Sequence, residues 1–146
     1  MPSSLEQAQT LTLAFVDALL TGQSVTVRAI PDVRTLDRNS IGAITPYVCM
    51  QFGDSQPKGS TSFVGPMGDD YVMPIYIQII AGNMSDAQKI SNKTLFGFLG
   101  QSFPWAGQVE KRVSGAVFPI LNSDGATEAY LAPLSFGLPI NLNPSV

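Results

Sequence analysis

The sequence contains no histidine, and that absence removes more chemistry than any residue present supplies. Without imidazole there is no Ser-His-Asp or Cys-His nucleophile arrangement, no His-ligated zinc and no histidine general base. Cysteine is nearly absent too. Cys49 is the single one, which excludes an intrachain disulfide and a Cys-based metal framework. It stands in the apolar run Tyr47-Val48-Cys49-Met50-Gln51-Phe52, where one cysteine reads as a small core residue rather than a reactive thiol. The glycines never assemble into G-x-G-x-x-G or a Walker A loop. No apolar run approaches the roughly 20 residues of a membrane-spanning helix; the longest, Tyr71 to Gly82, is interrupted by Pro74 and Gln78. Met1-Pro2-Ser3-Ser4 lacks the basic region that opens a secretory leader. The expectation is a soluble chain made in a reducing cytosol, with no membrane partner.

Charge is scarce as well. Asp, Glu, Lys and Arg make up 13% of the chain, against about 25% in ordinary soluble domains. The formal net charge is -3 and the sequence pI is about 4.6. The basic residues are scattered, the closest grouping being Arg28, Arg34 and Arg38. No stripe of cations is available to neutralise a phosphate backbone, so specific nucleic-acid binding is not expected. The adjacent carboxylates Asp69 and Asp70 would point to opposite faces of a strand, and they read as solvated gatekeepers beside an apolar segment. The stretch Asn122-Ser123-Asp124-Gly125 lacks the further acidic ligands of a calcium loop. Ser114 and Lys93 have no visible activating partner. No catalytic, cofactor-binding or metal-binding residue is expected.

What the chain does have is apolar surface. Hydrophobic residues make up 45% of it and the mean hydropathy is +0.18. A chain of 146 residues fits one domain, whose high surface-to-volume ratio is normally covered with charge. Few charges and positive hydropathy together imply a surface that faces protein, because obligate interfaces resemble a core cut in half. The alternative is a weakly charged monomer kept soluble by Ser, Thr, Asn and Gln.

The pattern along the chain predicts an α+β domain: a mainly antiparallel sheet, two helices packed on one face and a C-terminal β-hairpin. Ser3 and Glu6 have capping-box spacing. Leu5, Ala8, Leu11, Phe15, Val16 and Leu19 then form a helical stripe, and Gly22 supplies a stop. Ser24 to Ile30 alternates with period two and reads as a half-buried strand ended by Pro31. Residues 31–45 read as an exposed connection, and Tyr47 to Phe52 as a second strand. Gly53 to Gly68 is a long Gly/Ser/Pro-rich loop, of a length that is usually functional or disordered. Tyr71 to Ile80 is the third strand, and Pro74 predicts an edge position or a bulge there. Ser85, with Gln88 at capping-box distance, opens a second helix. Ala87, Ile90, Thr94 and Phe98 lie on one face of it, joined by Leu95 and Leu99, and Gly100 ends it. Phe103, Pro104 and Trp105 form a corner that either closes the core or offers an aromatic platform. Two extended runs, Val109 to Leu121 and Ala129 to Leu142, flank the Asp124-Gly125 hairpin signal.

In order and spacing these pieces resemble phage tail-terminator and tail-completion proteins. The corresponding parts are the helix Leu5–Leu20, the strand Val25-Thr26-Val27, and Thr45-Pro46-Tyr47-Val48. The glycine-rich loop Gly53–Gly68, the apolar strand Tyr71–Ile80 and the helix Ala87–Leu99 complete the match, which covers about two thirds of the chain. The part after Phe103 matches less well. The resemblance implies a virion protein made in the host cytoplasm, without enzymatic activity or cofactor. It would form a ring, commonly a hexamer, that caps the tail tube. Its partners would be itself, the tail-tube protein and the head-side connector protein. Another neck or tail component such as an adaptor, a non-viral cytosolic small-ligand-binding α+β domain, and a cytosolic dimer remain the alternatives. Within the glycine-rich loop, Phe63, Val64 and Met67 are too apolar for a plain linker. They are the candidate subunit-interface residues, their alternative being to fold back onto their own sheet.

Overall fold

A computed structural model describes residues 5–21, 26–28, 44–53, 56–57, 70–103, 106–114 and 116–141. Helix α1 (Leu5–Leu19) leads to the short strand β1 (Thr26–Arg28) and then β2 (Tyr47–Phe52). A two-residue strand β3 (Gln56–Pro57) precedes the long β4 (Asp70–Ala81), which feeds helix α2 (Met84–Phe98). The chain continues through β5 (Ser102–Phe103), β6 (Ala106–Gln108), β7 (Glu110–Ser114), β8 (Phe118–Leu121) and β9 (Thr127–Asn141). The main sheet runs β1-β2-β4-β9-β7, with β3 also on β4 and β8 also on β9. Every pairing in it is antiparallel except β1 with β2. The α+β architecture read from the sequence is the one observed, and β8 and β9 form the C-terminal hairpin. Two details differ. The glycine-rich stretch contains β3, and the run Val109–Leu121 is divided into β7 and β8, which follow each other along one edge of β9.

The expectation that Pro74 marks an edge or bulge fails: β4 is central, between β2 and β9. The reason is local. In an antiparallel strand the N–H and C=O of one residue face the same neighbour, and successive residues face opposite neighbours. The Gly53 N–H donates to the Pro74 carbonyl at 2.9 Å, so Pro74 faces β2. The reciprocal bond would need a Pro74 N–H, and the ladder stops there, at the Phe52–Ile75 pair. The same alternation turns Pro133 and Pro139 of β9 away from β4. Pro133 falls in the gap between the Ser114–Leu134 pair of β7 and the Phe118–Leu131 pair of β8. Pro139 lies beyond the Glu110–Gly137 pair that ends β7. Each proline's missing donor thus faces a place where the neighbouring strand has ended.

Both helices cover one face of the sheet. Val48 and Met50 of β2, Met73, Ile75, Ile77, Ile79 and Ala81 of β4, and Leu134, Phe136, Leu138 and Ile140 of β9 point to them at period two. All four residues predicted to face inward from α2 (Ala87, Ile90, Thr94 and Phe98) are buried. On α1 the buried set is Ala8, Thr12, Val16 and Leu20. Thr12 takes a place in that stripe because its hydroxyl donates to the Ala8 carbonyl at 2.7 Å, which satisfies it without water. Phe98 is the hub where helices and sheet meet. Its ring lies 4.7 Å from that of Phe136 in a stacked arrangement and 5.3 Å from Phe15 edge-on. Phe103 closes this cluster, 4.6 Å from Phe15; Pro104 and Trp105, on which the choice between core and platform turns, lie outside the described residues.

Helix α2 does not open at Ser85. Its N-cap is Asn83, whose side-chain carbonyl accepts from the Asp86 N–H at 2.8 Å. The Asn83 amide donates in turn to the Asp86 carboxylate at 2.9 Å. Asn83 thereby satisfies an orphan amide of the first turn as a serine cap would, and Asp86 holds the Asn83 side chain in place. Gly100, at φ 70, ends the helix as expected.

Candidate assembly surfaces

The outward side of the helical layer carries two unlike strips. On α2, Lys89, Asn92, Lys93 and Phe96 are exposed, opposite its buried stripe, and Phe96 is 71% exposed. On α1, the exposed residues Glu6, Gln7, Thr10, Ala14, Asp17, Ala18 and Thr21 recur at helical spacing, and from Thr10 onward most of them are small. The hydroxyls of Thr10 and Thr21 donate to the carbonyls of Glu6 and Asp17, each at 3.0 Å. The two helices touch at Gly97, where a Cβ would lie 2.4 Å from a Leu19 methyl. Glycine in this helix costs propensity but allows that approach.

The other face of the sheet has an apolar centre of its own, formed by Tyr47, Cys49, Ile80, Ala129 and Leu131 with Ile44 and Ile120 against it. Cys49 is buried there, 1% exposed, as its sequence context predicts. Around this centre the face is bare in places. Tyr76 is 45% exposed and lies against the backbone of Gly53, where a Cβ would come within 3.0 Å of its ring. Phe118, paired with Leu131 across β8–β9, is 49% exposed. Gln78, between Cys49 and Pro133, has a buried side-chain oxygen without a hydrogen-bond partner. Leu121, at the end of β8, is 57% exposed.

A half-open cavity of about 380 Å³ lies between α2 and the break between β7 and β8, walled by Gln88, Ser91 and Leu95 on one side and Val117 and Leu134 on the other. Among the described residues its lining offers amide and hydroxyl groups and no titratable side chain, so these can hydrogen-bond a guest but include no group to move a proton. Among the described residues no cluster of acidic or cysteine side chains could hold a metal ion, and no helix is long and apolar enough to cross a membrane.

The interface residues expected from sequence, Phe63, Val64 and Met67, lie outside the described residues. The structure brings forward Phe96, Tyr76 and Phe118 instead. Phe96 was legible, since it falls off the Ala87-Ile90-Thr94-Phe98 stripe and therefore had to point outward. Tyr76 and Phe118 were not, because both faces of the sheet are partly apolar and alternation alone does not say which is covered.

No family model matches this chain, and no curated protein matches it. Among solved structures, a chain from the virion of a native gene transfer agent (GTA) particle superposes with a TM-score of 0.51 at 13% identity, covering 92% of this chain and 90% of that one. The bacteriophage SPP1 gp17 protein aligns over 97% of this chain and 91% of its own with a TM-score of 0.38 and 16% identity. The likeness to the virion chain is one of fold, over 92% of this chain.

Proposed function

We propose that this chain is a structural subunit of a phage tail or neck, which assembles into a ring, commonly six-membered, on the end of the tail tube and joins it to the head-side connector. The observation that carries this reading is that large apolar side chains are exposed on both sides of the molecule: Phe96 on the helical layer, Tyr76 and Phe118 on the opposite sheet face. A two-chain complex has to cover one patch, whereas a ring subunit seated between tube and connector covers several. The shared fold with a virion chain and the resemblance of the helix–strand–loop order to tail terminators support the same assignment. The role needs no catalysis. The ring would dock by surface complementarity, stop further tube addition and present a new face to the connector.

The test is polymerisation of the cognate tail-tube protein with and without this chain, followed by electron microscopy. Tubes that stop elongating and carry a disc of density at one end are the expected result. Tubes that grow to the same length and bear no added density overturn the capping role. Density on the connector but not on the tube would favour the adaptor instead.

A further inference from the structure

The two strips on the helical layer are complementary in charge and in bulk. Among the described residues of the helices, the carboxylates of α1 (Glu6 and Asp17) face solvent, as do the ammonium groups of α2 (Lys89 and Lys93). Among the described residues, none of the four forms an ion pair. Asp86, the acid on α2, is already held by Asn83 at the helix start. One helix therefore presents negative charge and the other positive, side by side and unused. Bulk follows the same division. Thr10, Ala14, Ala18 and Thr21 are small and exposed along α1, and the two threonine hydroxyls are already spent on their own helix, so their methyl groups can be covered without stranding a donor. Phe96 is the opposite shape, a bare ring standing out of α2.

Resting on the self-assembly just proposed, we infer that this layer is a contact between copies: α2 of one chain, through Phe96, Lys89 and Lys93, seats on the small-residue strip of α1 of another, beside its Glu6 and Asp17. Ridges of one helix pack into grooves of another in this manner. Opposite charges at the rim steer and orient such a contact, while the buried aromatic supplies its anchor. Because each copy carries both strips, each can give one and receive the other.

Cross-linking between two singly substituted chains tests this. Ala18→Cys and Asn92→Cys chains are mixed under mild oxidation, both free and on capped tubes, and run on a non-reducing gel. The mixture should give a dimer-mass band several-fold stronger than either chain alone. Phe96→Ser in the Asn92→Cys chain should cut it about tenfold with the melting temperature unchanged. Lys89→Glu with Lys93→Glu should abolish the band, and Glu6→Lys with Asp17→Lys on the other chain should restore it. In about 1 M salt, where screening acts within roughly 3 Å, the restored band should weaken. A mixture no better than its components, free and on tubes, overturns the contact, and so does a fall in melting temperature with Phe96→Ser. Tubes still capped in that case leave the ring reading standing. Cross-links with uncapped tubes would keep the contact and remove the ring.

Discussion

Two phenylalanines, two positions apart on α2, show how far one residue's environment decides its role. Phe98 is fully buried among Phe15, Phe103 and Phe136, whereas Phe96 is mostly bare. Truncating a buried phenylalanine costs about 3–5 kcal/mol, and each kcal/mol moves the midpoint of a domain near this size by about 2–4 °C. Phe98→Ala should therefore melt roughly 6–20 °C lower in a calorimetric scan, while Phe96→Ser should melt within a degree or two of the parent. Gln78 makes the converse case. Its buried oxygen lacks a partner, and stranding such a group costs about 1–3 kcal/mol. Gln78→Met, close in shape and free of that group, should raise the melting temperature; a fall would mean that the oxygen is satisfied in solution. The helical period made Phe98 and Phe96 readable in advance. Gln78 was not, since an amide in an apolar strand gives no sign of whether it will find a partner.

At the scale of elements, composition was a better guide to where strands and helices lie than to how they begin or pair. Tyr47–Phe52 and the body of β4 were legible because β-branched and aromatic residues gather there. The cap of α2 was not, because Asn83, Ser85 and their acceptors three residues on offer two overlapping boxes. The structure selects the first. Asn83→Ala should cost about 1 kcal/mol, the usual value of an N-cap, while Ser85→Ala should fall within about 0.5 kcal/mol of the parent, as exposed substitutions do. Equal losses in urea unfolding would show that the helix start shifts in solution. Pro74 misled for a different reason. Proline excludes a hydrogen bond on one side of a strand only, and the sequence does not say where the neighbour on that side ends. The hairpin turn was readable: Gly125 adopts φ 80, while the Asn122 side chain accepts from the amides of Asp124 and Ala126 at 2.9 and 3.0 Å.

For the whole molecule, the low charge and the bare aromatics are the surface that the proposed assembly would cover, and the glycine-rich stretch Gly53–Gly68 belongs in that proposal. It leaves the sheet at the end of β2, touches β4 through β3, and returns at the start of β4. The interface proposal for Phe63, Val64 and Met67 rests on composition: covering a Phe or Met side chain is worth about 1.5–3 kcal/mol, a gain that recurs at each contact of a ring. Their alternative is to lie on their own sheet, and one double substitution separates the two. Phe63→Ser with Val64→Ser should leave the melting temperature of the free chain in place while tube capping, scored by electron microscopy, is lost. In that event the loop acts between molecules, ordering against a neighbour or the tube as assembly proceeds. Should the free chain instead melt several degrees lower, the two side chains belong to its own core. The burden of assembly would then fall on the helical layer and on the Tyr76 and Phe118 face.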